Sequence, residues 1–324
     1  MEIAMDINAF QDLPVMEVAR LVRATGPKVC VFPVNGTRRW FMLEVAMPPG
    51  ESFAEVYREV ASKRHVELYR LFFEHGVDTL VTPIFGPDLL ERGESYAKMA
   101  TEGLALLATQ PEFLDFYETY QVRVRFYGDY RSFFDSTPYA YLPEMFDEVT
   151  ARTLLHDRHR LLFGVCAHDA TETIADLSVQ YHAEHGRVPD KRTLVSVYYG
   201  EYVEPADLFI GFDKLCVFDM PLLATGSEDL YFTVSPSPYL SAGQLRSILY
   251  DHIYARRGAE PEYSTLEPDE WKLMKDFYQA NRNKTLGIGV RCGQIWYPVP
   301  QVELPLSYAQ SEVPLTELGD IKWT

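Results

Sequence analysis

Short apolar runs alternate with longer amphipathic stretches along most of the chain. The runs predict strands over Lys28–Val34, Asp78–Phe85, Val122–Tyr127, Leu161–Ala167, Ala206–Phe212 and Asp229–Val234. Several are apolar nearly throughout, as in a parallel sheet covered on both faces. The amphipathic stretches predict helices over Val15–Ala24, Ser52–His75, Tyr96–Thr109, Leu142–Leu155, Thr171–His185, Lys191–Tyr199, Ser241–Ala255 and Asp269–Asn281. This alternation predicts an α/β fold: a doubly wound, mainly parallel six-stranded sheet flanked by helices. Leu286–Tyr297 reads as an edge hairpin. Pro298–Thr324 holds four prolines and no clear period, and is expected to be an extended arm or partly disordered. No linker divides the chain, so residues 1–300 are expected to form one domain and 301–324 a C-terminal extension.

In an open parallel sheet, ligands bind beyond the carboxyl ends of the strands. Three strand ends here are rich in glycine and polar residues, and they are expected to converge. The first is Asn35-Gly36-Thr37-Arg38-Arg39-Trp40. Gly36 permits close approach of backbone to a ligand. Thr37 and the N–H groups after it can face an anion at a helix start, and Arg38 and Arg39 add planar donor forks suited to phosphate oxygens. An ordinary turn with two solvated arginines has the same pattern. The second strand end carries Asp88 and Glu91, three apart on one face of a helical turn, followed by Arg92. The carboxylates could bind a metal–diphosphate or steady a cation, Arg92 could touch phosphate, and acids enriched at a helix start would look the same. The third is Phe126-Tyr127-Gly128-Asp129-Tyr130, beside the His168-Asp169 pair after the fourth strand. That pair has no nucleophile motif with it, and Asp169 also suits a helix N-cap. His156 and His159 read as solvated surface residues rather than a metal pair.

The composition narrows the chemistry. Of 324 residues, 47% are hydrophobic, enough for a sizeable core. The balance of 30 basic against 47 acidic residues gives a net charge of −17, which argues against nucleic acid as a partner. A site for an anionic substrate must then be built locally from a few arginines and backbone N–H groups. Cys30, Cys166, Cys216 and Cys292 lack metal or redox spacing and sit in or beside apolar runs, so they read as buried, reduced thiols. The N-terminus has no signal-peptide pattern and no run of about eighteen apolar residues occurs, so a cytoplasmic protein without a membrane span is expected. Aromatic content is 14%. Phe53, Tyr57, Tyr69 and Phe72 lie on the long predicted helix and are candidates for a π-rich pocket that stabilises a cation, though each also suits a core.

Asn35–Trp40 resembles the first loop of the cis-prenyltransferase (undecaprenyl diphosphate synthase) superfamily, which reads Asp-Gly-Asn-x-Arg-Trp. Val124–Asp129, Ala206–Ile210 and Leu230–Thr233 are similar to later strands of that family. A closer resemblance is to its diterpene branch, typified by a tuberculosinyl adenosine transferase and a kolavelool synthase. It is carried in order by Gly26–Val29, Gly36–Phe41, Phe73–Gly76, Asp88–Leu90, Tyr199–Val203 and Ile248–Tyr254. Two departures matter. Gly211–Asp219 lacks the arginine pair that holds a second diphosphate in chain-elongating relatives. Asn35 stands where the family places the aspartate that holds Mg²⁺, and an amide is a weak ligand for that ion.

The resemblance implies an enzyme that processes one allylic diphosphate. The leading expectation is ionisation of a preformed bicyclic diterpenyl diphosphate, of kolavenyl or halimadienyl type, with water capturing the cation to give a diterpene alcohol and pyrophosphate. Transfer of the diterpenyl group to adenosine is the alternative, and a non-catalytic prenyltransferase partner is a third reading. The implied site is Asn35, Arg38, Arg39, Tyr57, Asp88 and Glu91 for catalysis, with Gly36, Thr37, Arg38, Arg39 and Arg92 on the diphosphate. No metal ligand is assigned beyond a possible Asp88, and Mg²⁺ is a possible cofactor. A homodimer, and an upstream diterpene cyclase in the same pathway, are implied by analogy.

Overall fold

A computed structural model describes residues 5–26, 28–87, 89, 93–256 and 262–299. The chain divides into two compact units, Met1–Arg256 and Arg257–Thr324. Residues 301–324, expected to form an extension, lie outside the described residues.

In the first unit the six predicted strands form one parallel sheet. They are β1 (Val29–Val31), β2 (Thr79–Phe85), β3 (Val122–Tyr127), β4 (His159–Val165), β5 (Leu208–Phe212) and β6 (Asp229–Thr233). Their order is β3-β4-β2-β1-β5-β6. Strands β1 and β5 are buried throughout, which is why their sequences are apolar without alternation. Pro83 lies inside β2, a central strand. Proline has no N–H for the ladder, and the register with β4 shifts between Pro83 and Phe85. That irregularity re-aims the end of β2.

Two apolar clusters cover the two faces. One joins Phe32, Leu80, Val124 and Phe163 of the sheet segments to helices that include α2 (Val15–Ala24), α4 (Phe53–Glu74), α5 (Glu94–Thr109), α6 (Pro111–Thr119), α7 (Tyr130–Asp135) and α8 (Leu142–Arg152). The other joins Val31, Tyr127, Leu162 and Phe209 to α9 (Thr171–His185), α10 (Lys191–Tyr199) and the loop after β5. Short helices α1 (Ile7–Gln11) and α3 (Thr37–Glu44) complete the first part of the chain. The last predicted helix of this unit is α11 (Ala242–Tyr250), which continues as a wider π turn over Asp251–Ala255. Among the described residues no helix is long and apolar enough to cross a membrane.

The second unit contains α12 (Pro268–Asn281) and the antiparallel pair β7 (Gly289–Cys292) and β8 (Ile295–Pro298), which forms a separate two-stranded sheet. Glu267 and Glu270 cap the start of α12 reciprocally.

Several residues sit differently from expectation. His156 and His159 are buried, not solvated. His159 stacks on Phe73 at 4.4 Å between centroids, and the His156 ring meets the Val122 carbonyl at 3.0 Å, so both serve packing at the β3/β4 end of the sheet. Asp169 is not the N-cap of α9. That position is Ala170, and Asp169 instead accepts from the Thr171 hydroxyl at 2.9 Å. Cys30 and Cys166 are buried thiols, but Cys216 and Cys292 are exposed, because the runs around them leave the main sheet. Tyr69 and Phe72 are wholly core.

Candidate functional site

The carboxyl ends of β1 and β5 form a point where the chain parts. After β1 it turns to the face that carries α4, and after β5 it turns to the opposite face. A crevice opens where neighbouring strands part in this way. Here it is a cavity of about 930 Å³, at the upper end of the roughly 300–1,000 Å³ usual for small-molecule sites.

The cavity mouth is built from Asn35–Arg39. Gly36 is the N-cap of α3 in the left-handed region, φ 77°. A Cβ at that position would lie 2.9 Å from both Phe212 Cε1 and Pro236 Cβ, so glycine is required twice over, by conformation and by space. The loop is pinned from outside by Ser237. The Asn35 N–H donates to Ser237 Oγ at 3.1 Å, and the Ser237 N–H donates to the Asn35 carbonyl at 3.0 Å. The opening N–H groups of α3 therefore start at a fixed place beside the cavity, where a helix N-terminus favours negative charge. The Arg38 guanidinium lies over the Tyr96 ring, 5.6 Å from its centroid, and Arg39 lies 5.1 Å from that of Phe212. Arg39 also pairs with Asp213 at 3.6 Å.

Two helix faces make the walls. From α4 come Tyr57, Arg58, Ala61, Ser62 and His65, spaced three or four apart as one helical stripe requires. From α5 come Tyr96, Met99, Ala100, Gly103, Leu104 and Leu107. Arg58 is ion-paired with Glu102 and so ties one wall to the other. Toward the interior the lining becomes apolar, with Leu104, Leu107 and Phe113 all buried. The cavity is thus cationic at its mouth and greasy at its far end.

Tyr57 is stacked on Phe53 at 5.7 Å, and Phe41 meets both rings edge-on, Tyr57 at 5.2 Å and Phe53 at 5.4 Å. Burial pushes its phenol up to about 12; nearby Tyr96 adds to this and Arg38 opposes it, so the hydroxyl stays protonated. His65 brings an Nε2 to 3.4 Å from the Thr37 hydroxyl. Burial lowers its imidazole to about 4, so it is neutral near pH 7. The unfolded chain binds a proton at His65 below about 6.5, whereas the folded chain resists it until about 4. The stability that His65 contributes is therefore complete above pH 6.5 and lost as pH falls toward 4. His65→Gln is expected to flatten thermal stability against pH across that acidic window and to leave the alkaline limb unchanged.

The structure thus brings Asn35, Gly36, Thr37, Arg38, Arg39 and Tyr57 together. Asp88, Glu91 and Arg92 lie outside the described residues. The three strand ends converge only in part: β1 and β2 reach this cavity, while the ends of β3 and β4 line another, because β4 and β2 intervene between β3 and β1. Sequence reasoning missed His65, Arg58, Tyr96 and Ser237. For His65 and Arg58 a signal existed, since both fall on the helical stripe that begins at Tyr57.

The fit to a cation is poor at the mouth. Among the described residues it offers two guanidinium groups, an amide and one carboxylate already paired with Arg39. Among the described residues no group of three or more His, Cys, Asp or Glu side chains could hold a metal ion. This donor set fits an anion.

No family model matches the chain. It is 43% identical to tuberculosinyl adenosine transferase of Mycobacterium tuberculosis (strain CDC 1551 / Oshkosh) over 290 residues, covering 89% of this chain and 96% of the relative. It is 25% identical to (+)-kolavelool synthase of Herpetosiphon aurantiacus over 282 residues, covering 86% and 91%. Among solved structures, lavandulyl diphosphate synthase from Lavandula x intermedia, in complex with dimethylallyl diphosphate, aligns with a TM-score of 0.56 at 14% identity, covering 72% of this chain and 98% of that one. A probable undecaprenyl diphosphate synthase from Campylobacter jejuni aligns with a TM-score of 0.51 at 15% identity, covering 74% and 99%. With a relative this similar the chain belongs to the family of the tuberculosinyl adenosine transferase, and its six-stranded sheet has the cis-prenyltransferase-like fold of these solved structures.

Proposed function

We propose that the protein ionises a diterpenyl diphosphate in the α4/α5 cavity and transfers the diterpenyl group to a nucleoside. The protein is an enzyme acting on a diterpenyl diphosphate. The observation that carries the reading is the gradient of the cavity, from Arg38 and Arg39 at the mouth to Leu104, Leu107 and Phe113 within. A diphosphate fits the first and a C20 hydrocarbon the second. The choice of acceptor follows the relatives: 43% identity to an adenosine transferase against 25% to an alcohol-forming synthase. This reverses the order in which the sequence ranks nucleoside and water.

In the reaction the allylic C–O bond breaks and its electron pair leaves with the diphosphate. Arg38, Arg39 and the N–H groups opening α3 receive that charge. Preorganised donors of this kind are commonly the largest catalytic term. The Tyr57 ring, held by Phe41 and Phe53, offers a π face to the allylic cation. A nucleoside ring nitrogen then forms the new bond to carbon with its lone pair. Asp88 and Glu91 remain proposed contributors, and Arg92 a proposed phosphate contact. A homodimer is proposed from the family alone.

The test incubates the protein with kolavenyl, halimadienyl and geranylgeranyl diphosphates, with and without adenosine. Pyrophosphate release and a diterpenyl–adenosine conjugate are expected by mass spectrometry. An alcohol formed equally in both arms would establish water as the acceptor. Silence with every diphosphate would overturn the reading altogether.

Metal use has its own outcome. Pyrophosphate release is expected to persist in excess EDTA, with Arg38 and Arg39 proposed to take up the leaving-group charge. Asn35→Asp should introduce stimulation by Mg²⁺, since a carboxylate is a far better ligand for that ion than an amide. Identical metal profiles for the two proteins would show that position 35 does not set metal use.

A further inference from the structure

Gly103 lies in the interior of α5, away from both of its ends. Nothing in the backbone calls for glycine there, because its φ is outside the left-handed region. A glycine inside a helix costs stability relative to alanine, since it loses more conformational freedom on folding. Nothing in the packing calls for it either. Leaving its own helix backbone aside, no described heavy atom lies within 4 Å of the place a Cβ would take. Gly164 and Gly211 make the contrast. They too are outside the left-handed region, but a Cβ would lie 2.5 Å from the Tyr127 hydroxyl at the first and 2.8 Å from the Phe232 ring at the second. Their neighbours hold those two positions to glycine. Gly103 has no such neighbour.

What lies beside Gly103 is the diphosphate cavity. It lines that cavity one turn along α5 from Ala100, and the α4 wall contributes Ala61 and Ser62. All four small residues stand within about one turn of the Arg58–Glu102 ion pair, which ties the two walls together. Room taken by a larger side chain here is therefore taken from the ligand.

The depth of this open volume bears on what fills it. The Arg38 guanidinium lies over Tyr96, near the start of α5. Gly103 follows seven residues later, about 10 Å along the helix. The buried Leu104 and Leu107 lie further along. The open volume thus falls between the leaving-group end and the apolar end, where the hydrocarbon beyond the reacting carbon must pass. A linear C20 chain is narrow throughout and can bend away from a wall. Fused rings are broad and rigid, and cannot.

We propose that Gly103 determines the breadth of hydrocarbon that the cavity takes. The missing side chain leaves room for the fused rings of a bicyclic diterpenyl diphosphate, and a branched side chain at this position turns the site toward linear C20 diphosphates. The inference rests on the diphosphate reading above and deepens it by naming the shape of the substrate. It is independent of the acceptor.

Pyrophosphate release by the full chain, by Gly103→Ala and by Gly103→Val, measured separately with kolavenyl and with geranylgeranyl diphosphate, tests this. The unaltered protein is expected to favour the bicyclic substrate in kcat/KM. Gly103→Val is expected to lower the bicyclic-to-linear ratio of kcat/KM about 10- to 200-fold, the span over which one small group changes discrimination in an apolar pocket. Gly103→Ala should move the ratio the same way by less. The ratio is internal to each preparation, so a partly unfolded variant does not mimic the effect. Gly103→Ala should also melt no lower than the unaltered protein, since its Cβ enters open space. A preference of the unaltered protein for the linear substrate, or an equal loss with both substrates in Gly103→Val, overturns the proposal. So does a lower melting temperature in Gly103→Ala, which would mean that the position is packed. Release from neither substrate by the unaltered protein overturns the diphosphate reading itself, and the proposal with it.

Discussion

Arg38→Ala is expected to slow pyrophosphate release about 100- to 1,000-fold, the usual loss when one preorganised donor to a developing anion is removed. Arg38 stands at the mouth of the cavity with its guanidinium over the Tyr96 ring, an arrangement that orients it, and among the described residues it makes no ion pair with a carboxylate. Its positive charge also acts on Tyr57, on the opposite wall. The rate constant should fall more than substrate affinity, because charge accumulates on the leaving diphosphate only as the C–O bond breaks. Arg38→Lys is expected to recover only part of the rate, since an ammonium group lacks the planar fork. Arg39 makes a different comparison. Its partner Asp213 would be left facing the cavity in Arg39→Ala, so that variant both loses a donor and gains an uncompensated carboxylate where the diphosphate must sit. Single-turnover measurements on the three variants check the order. A fall in affinity alone, with an unchanged single-turnover rate, would remove Arg38 from the chemistry.

Gly36→Ala is expected to destabilise the fold by about 2–5 kcal/mol and to abolish most activity. Left-handed backbone costs an L-residue roughly 1–2 kcal/mol, and overpacking a tight site costs about 1–3 kcal/mol more. Both costs apply here, because φ is 77° and the new Cβ would lie 2.9 Å from Phe212 and from Pro236. Neither neighbour gives way freely. Phe212 supports Arg39, and Pro236 precedes the Ser237 turn that pins Asn35. The control is Gly186→Ala at the end of α9, with a similar φ of 68° and open space around its Cβ. Denaturant unfolding should show Gly186→Ala losing only the conformational part. If the two variants unfold alike, contact with Phe212 and Pro236 contributes nothing.

Much of the sheet was legible because parallel strands buried on two faces carry uninterrupted apolar runs, as in Val122–Tyr127, which was read with its observed ends. Helices α2, α9 and α10 were legible by their period and their stops, Gly186 and Gly200 closing the latter two in left-handed geometry. Helix α6 went unread although its signal was present, a proline at its start with Phe113, Phe116 and Tyr117 on one face. The histidines near the start of β4 could not be placed from sequence, since nothing local tells a solvated His159 from one stacked on Phe73. The exposure of Cys216 was hidden for a related reason. Its apolar neighbours suggested burial, but the chain there leaves the sheet and passes beside the cavity.

The diphosphate loop shows the division most clearly. Sequence alone determined that Asn35–Arg39 follows a buried strand, opens a helix and concentrates positive charge on an otherwise acidic chain, because these are properties of neighbouring residues. It also determined that an arginine pair is absent after β5. Only the tertiary structure decided what completes the site. His65, Arg58 and Tyr96 reach the loop from two other helices, and Ser237 holds it from about two hundred residues away. Local sequence carries backbone preference and periodicity, whereas a cavity is made by residues distant in the chain. Their meeting is fixed by strand order.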